Sequence, residues 1–318
     1  EKIFQNEKID IEFAYKNRKI MIFQCRKLYN IQKFKNININ NSLFNIEKKI
    51  DKLQKPLPFI TGKKTIFSNM ADWNPAEIIG VKPNSLALSL YEKLITDDVW
   101  SKQRIDFGYK NVQPYPLMYS LGGSPYIDLR IDFNSFLIKN LKEKQSKKII
   151  DYFIKKIDMK PSLHDKIEYE IFPTYYSFSN KRYLELQKII GKKLLKTYKR
   201  SLYDITFSSF FNDKKLKNEI FDIQNLSTKL AEIKLSKISI LHKIYLTLHY
   251  CKKLGTLNFA SMARKAFIAS EYVNDLKSLG ILNDDDIKNF YGSVNSISKN
   301  IQKDLYLVAK KKITKEKF

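Results

Sequence analysis

The sequence predicts an α+β chain: a short N-terminal β-hairpin, a small mixed α/β segment, and then a mostly α-helical domain. Three observations carry that expectation. Apolar residues alternate with period two through residues 9–26, Pro and Gly turn chemistry punctuates residues 65–136, and beyond Ser135 apolar residues recur at helical spacing in run after run.

In the first segment Ile9, Ile11 and Phe13 alternate with Asp10, Glu12 and Ala14, and Met21, Phe23 and Cys25 alternate with Ile20, Ile22, Gln24 and Arg26. A polar Lys16-Asn17-Arg18 turn separates the two runs, which makes the segment a hairpin. A loop of odd length centred on Asn17 sets Asp10 opposite Gln24 and Glu12 opposite Ile22, with all four on one face of the sheet. Residues 27–64 are rich in Asn and Lys, carry Pro56 and Pro58, and lack amphipathic periodicity in their first half, so they read as a connector. The expected divisions are residues 1–30, a linker over 31–64, a mixed part over 65–136 and a helical part over 137–318.

Within the mixed part, Pro83-Asn84-Ser85 is suited to capping a helix that carries Leu86, Leu88, Leu90, Tyr91, Leu94 and Ile95. Strands are expected over 117–121 and 126–133, joined by a Gly122-Gly123 turn. Helices are expected over 144–158, 180–198, 214–233, 235–254, 257–280 and 284–312, with Gly255 and Gly280 at helix ends. The chain starts at Glu1 rather than Met and stops at Phe318 in a charged stretch without a helix-stop signal, so it reads as an internal fragment.

The formal net charge of +25 is compatible with a basic helical nucleic-acid-binding protein, and 19 Tyr and 21 Phe are available for stacking. The lysines, however, are scattered along the whole chain among Ile, Asn, Phe and Tyr, as an A+T-rich coding sequence produces, so nucleic acid is not the expected partner. Only Cys25 and Cys251 are present, without a second ligand at metal spacing, so neither a zinc site nor a disulfide framework is expected and a cytoplasmic setting fits. No apolar run approaches the roughly 18 residues needed to span a bilayer. A homo-oligomer is compatible with the sequence.

The hairpin carries the sharpest chemistry. A carboxylate and an amide carbonyl offered together are hard oxygen ligands suited to Mg²⁺, and a nearby guanidinium takes phosphate oxygens bidentately. The same spacing also fits an ordinary amphipathic hairpin with a solvated face. Asp10-Ile11-Glu12-Phe13-Ala14 followed by Phe23-Gln24-Cys25-Arg26 resembles the end of the ATP-grasp nucleotide-binding domain of phosphoenolpyruvate synthases and pyruvate phosphate dikinases. The hairpin is then the remnant of a truncated ATP-grasp domain. The resemblance implies that Glu12 binds the Mg²⁺ bridging the ATP phosphates, that Gln24 supports this site, and that Arg26 contacts the phosphates. Lys27 stands where that family has Pro.

A second resemblance runs through three separate segments, namely 68–80 (Ser-Asn-Met-Ala-Asp-Trp-Asn-Pro-Ala-Glu-Ile-Ile-Gly), 125–136 (Pro-Tyr-Ile-Asp-Leu-Arg-Ile-Asp-Phe-Asn-Ser-Phe), and 250–269, which contains Gly255-Thr256-Leu257-Asn258-Phe259-Ala260. Together they resemble the middle region of a bacterial group of phosphoenolpyruvate synthase-like proteins. That family moves phosphate from ATP through a phosphohistidine to pyruvate or another small acceptor. Asp72, in a turn fit to place an indole and a carboxylate at a cleft, and Arg130, alternating with Asp128 and Asp132 on an expected strand face, are the candidates for the acceptor side. His164, His242 and His249 lack the context of the family's phosphocarrier histidine and read as structural. The carrier is expected outside this stretch, which alone is expected to be inactive.

Overall fold

The computed structural model describes residues 9–16, 18–27, 39–166, 171–294 and 297–310. The fold class is α+β: a hairpin, a small three-stranded sheet and a predominantly helical remainder.

Strands β1 (Ile9–Lys16) and β2 (Lys19–Lys27) pair antiparallel. Their register corrects the expected one. Lys16 faces Lys19, so the loop is even, and a bulge between Glu12 and Phe13 shifts the pairing by one more residue. Glu12 therefore faces Gln24 and the backbone position of Asp10 faces that of Arg26, whereas Ile22 faces Phe13 and leaves the polar face. Phe13, Ile22 and Phe23 are all at least 60% exposed, so the hairpin's apolar side has little cover among the described residues.

Helix α1 (Ile39–Gln54) falls within the stretch read as a connector and is amphipathic. Its C-terminal end is tied down: the Gln54 side chain accepts from the Thr65 amide at 2.9 Å and donates to the Thr65 carbonyl at 3.0 Å. Strand β3 (Phe67–Ser68) is followed by the short helices α2 (Pro75–Ile78) and α3 (Ser85–Tyr91). Asn84 caps α3 as expected, accepting from the Ala87 amide at 2.8 Å. A π-helical turn (Glu92–Thr96) leads to α4 (Val99–Phe107).

Strands β4 (Met118–Leu121) and β5 (Ser124–Asp128) form a hairpin whose two loop residues, Gly122 and Gly123, have φ of 61° and 83°, the geometry that glycine adopts without strain. The sheet order is β3-β5-β4, all antiparallel. The strand expected over 126–133 stops at Asp128. There the carboxylate turns inward as an N-cap, accepting from the Ile131 amide at 3.1 Å, and the chain continues as α5 (Leu129–Ser135). Every residue of α5 is buried, so the helix has no polar face to betray its period. Arg130 and Asp132 accordingly lie on a buried helix, not on an open strand face.

The remaining helices are α6 (Glu143–Met159), α7 (Leu184–Phe210), α8 (Asp213–Leu235), α9 (Ile240–Tyr250), α10 (Leu257–Ser278), α11 (Asp284–Ser293) and α12 (Ile297–Ala309). Gly280 sits just past α10 with φ of 71°, as a helix-ending glycine should. Gly255 ends nothing. It lies in a π-helical turn (Cys251–Thr256) that fuses α9 to α10, and a Cβ there would come within 3.2 Å of Leu226.

The core is aromatic. Phe133 stacks on Phe172 at 5.2 Å, Phe153 lies 5.0 Å from Phe172, and Tyr109 meets the Phe136 ring edge-on at 5.7 Å. Such pairs fix ring orientation as well as burying area, and they seat α5 against α6 and Phe172. Among the described residues no helix is long and apolar enough to cross a membrane.

Candidate functional site

The Asp72-Trp73-Asn74-Pro75 turn is built by local chemistry. The Asn74 amide donates to the Ala71 carbonyl at 2.7 Å, the Asn74 side chain caps α2 by accepting from the Glu77 amide at 3.2 Å, and Pro75 occupies the first helical turn. Trp73 and Asn74 both take positive φ, 61° and 28°, which non-glycine residues adopt at a cost of about 1–3 kcal/mol each. Buried Tyr91 holds the turn by donating its hydroxyl to the Trp73 carbonyl. Burial and the nearby Asp72 carboxylate push the Tyr91 phenol well above its ordinary pKa, so it stays a donor.

Asp72 is held by Arg104 of α4, whose guanidinium also takes Asp132 Oδ1 at 2.9 Å and the Ser135 hydroxyl. The same guanidinium lies 3.6 Å from the centroid of the Phe136 ring. A second arginine, Arg264 of α10, lies 4.9 Å from that ring and donates to the Thr174 carbonyl at 2.8 Å and the Tyr109 hydroxyl at 3.3 Å. Two guanidiniums thus share one phenylalanine, a cation–π arrangement that strengthens when desolvated.

These groups border a cavity of about 420 Å³ between the Asp72 turn, α4, the His164-Asp165 loop and α10. Trp73 and Phe259 form an aromatic wall, with centroids 6.2 Å apart and planes tilted by 49°. His164 joins the lining with its Nδ1 2.8 Å from the Ser68 hydroxyl. The three segments singled out in the sequence converge here: 68–80 supplies the turn, 125–136 supplies Asp132, Ser135 and Phe136 behind Arg104, and 250–269 supplies Phe259, Ala260, Ala263, Arg264 and Phe267.

No family model, curated protein or solved structure matches the chain.

The candidate residues separate into three places. Asp72 lines the cavity. Arg130 does not: its guanidinium is fully buried and donates to the α1 carbonyls of Leu53 at 2.7 Å and Gln54 at 3.5 Å, and to Lys55 at 3.1 Å. It works as a C-terminal helix anchor, where a cation meets the negative end of the helix dipole. Glu12 and Gln24 sit opposite each other on the hairpin, both exposed; the backbone of Arg26 is placed beside them, while its side chain lies outside the described residues. Among the described residues no group of three or more His, Cys, Asp or Glu is arranged to hold a metal, so Glu12 and Gln24 offer at most part of a coordination shell.

Sequence reasoning missed Arg104, Arg264 and buried Gln103, and it set His164 aside. His242 lies at the α9 N-terminus, with Nδ1 2.9 Å from the Ser239 hydroxyl, and His249 packs at 6.5 Å on Tyr245; neither lines this cavity.

Proposed function

We propose that the chain is part of an ATP-dependent phosphotransferase resembling phosphoenolpyruvate synthase. The hairpin serves as the closing piece of its nucleotide site, and the cavity around Asp72 receives the phosphate acceptor, pyruvate or another small molecule. The observation that carries this reading is that two of the three distant segments that bear the family resemblance, 68–80 and 250–269, line one cavity, while the third, 125–136, backs its wall through Arg104. The hairpin register adds support, because it aligns Glu12 with Gln24 and sets the Asp10–Arg26 pair of positions alongside. Glu12 and Gln24 are hard-oxygen donors of the class Mg²⁺ takes, and such an ion neutralises phosphate charge during transfer.

The test is transfer of labelled phosphate from ATP to a histidine in the intact gene product. Glu12→Ala should slow labelling by about 10²-fold, the scale of losing one electrostatic contact to a reacting phosphate. Undiminished labelling overturns the metal assignment. The competing nucleic-acid reading rests on the +25 charge, yet the cavity beside the Asp72 turn has no lysine in its wall. Salt-sensitive nucleic-acid binding without ATP use would favour it.

A further inference from the structure

The cavity's charge balance says what kind of acceptor it suits. Its wall carries two guanidiniums, Arg104 and Arg264, against three carboxylates, Asp72, Glu77 and Asp165. Both guanidiniums are already engaged by the protein: Arg104 by Asp72, Asp132 and Ser135, Arg264 by the Thr174 carbonyl and the Tyr109 hydroxyl. An incoming carboxylate meets more negative than positive charge, and it must displace a buried ion pair to reach a cation. At low dielectric that exchange is costly.

Size points the same way. At about 420 Å³ the cavity is several times larger than one three-carbon acid fills. A three-carbon acid such as pyruvate would leave most of it wet.

A neutral ligand rich in hydroxyls fits both facts. A hydroxyl donates one hydrogen bond and accepts others, whereas a carboxylate only accepts and a guanidinium only donates. A wall of paired Asp and Arg therefore satisfies neighbouring hydroxyls without asking for net charge. Gln103 adds a buried amide nitrogen that has no hydrogen-bond partner among the described residues. The tilted faces of Trp73 and Phe259 offer an apolar surface to the C–H face of a ring.

We propose that the cavity binds a neutral sugar or cyclic polyol, and that such a hydroxyl compound, not pyruvate, is the acceptor. Only the word acceptor rests on the phosphotransferase reading; the binding does not. His164, its Nδ1 engaged by Ser68, is then the wall's group best suited to accept a hydroxyl proton.

The test is a titration of the 318-residue chain without ATP, using methyl glucoside, methyl mannoside, methyl galactoside and N-acetylglucosamine, with pyruvate and lactate as rivals. The chain has two tryptophans, of which Trp73 lines the cavity and Trp100 is buried behind Arg104, so a fluorescence change that is lost in Trp73→Phe reports Trp73. At least one sugar should saturate the signal in the millimolar range, and Trp73→Phe should abolish the response. Phe259 is 59% exposed, so Phe259→Ala leaves folding intact and should weaken sugar affinity about fivefold or more by calorimetry. Saturation by pyruvate and by no sugar overturns the proposal, as does silence towards every sugar or sugar binding indifferent to both variants. Sugar binding in a protein whose intact gene product never labels from ATP retains this inference and overturns the phosphotransferase reading instead.

Discussion

Arg130→Met tests whether this arginine anchors a helix or meets a ligand. Its guanidinium is fully buried, makes no ion pair within 4 Å among the described residues, and spends its donors on the carbonyls of Leu53 at 2.7 Å and Lys55 at 3.1 Å. Hydrogen bonds involving a charged group contribute about 1.5–3 kcal/mol each, so two are worth roughly 3–6 kcal/mol. Against this stands the desolvation of the guanidinium, which methionine relieves, and water that reaches the half-buried carbonyls. The expected net loss is about 2–4 kcal/mol. With a urea m-value of about 3 kcal/mol/M, the midpoint should fall by roughly 1 M at unchanged slope. Hydrogen exchange locates the effect: α1 is held chiefly at its C-terminal end, and its Leu43 and Phe44 are each 57% exposed. Protection should therefore drop in α1 before it drops in α5. A midpoint within about 0.2 M of the parent, or α1 protection unchanged, refutes the anchor assignment.

Four further substitutions probe the same architecture. Gly62 has φ of 112°, and a Cβ there would lie 2.6 Å from Ile150 Cγ2, so Gly62→Ala should cost about 2–5 kcal/mol in chemical denaturation. Gly80→Ala, with φ of 90° and nothing within 4 Å, isolates the backbone share and should cost only about 1–3 kcal/mol. Buried Asn134 accepts from the Thr61 amide at 3.0 Å and donates to the carbonyls of Thr61 and Arg130 at 2.8 Å; Asn134→Leu strands those groups and should lower stability by about 3–4 kcal/mol in the same assay. Burial holds the Asp128 carboxyl above its ordinary pKa, so the folded chain binds that proton more tightly than the unfolded one. Its charge is then a liability at neutral pH that is relieved as pH falls through the folded value towards the ordinary one. Asp128→Asn should gain stability relative to the parent near pH 7 and lose that advantage near pH 4, as read from urea midpoints at both; an advantage constant with pH contradicts the assignment.

The hairpin, the Gly122-Gly123 turn, the Asn84 cap and the long helices were legible because each is written in a window of a few residues. Period two, period 3.6 and positive-φ glycines are local signals. What escaped was set by surroundings. The bulge opposite Glu12 has no signature in Ile22-Phe23-Gln24, yet it decides whether Gln24 or Phe23 stands across from Glu12. Helix α5 is buried on every side, so Asp128-Leu129-Arg130-Ile131-Asp132 kept an alternation that resembles a strand. Gly255 looked like a helix end because glycine usually is one, but here close approach to Leu226 explains it better than a turn does.

The cavity is harder still to read, since its wall is assembled from stretches nearly two hundred residues apart. One signal does cross that distance. Of the 58 basic residues only seven are arginines, in a chain whose composition drifts towards lysine. Arg104, Arg130 and Arg264 are each at most 7% exposed, and Arg182 packs at 4.6 Å over Tyr175 beside Glu271. Arg200, by contrast, has a side chain 74% exposed. A lysine at position 104 would bring one compact ammonium to two carboxylates, a hydroxyl and the face of Phe136, which a planar fork of donors serves together. Where composition pulls towards lysine, arginine survives at the positions that need the fork. That pattern points to Arg104 and Arg264 as directly as the Asp-Trp-Asn-Pro turn points to Asp72, although it cannot by itself separate a cavity wall from the helix anchor at Arg130.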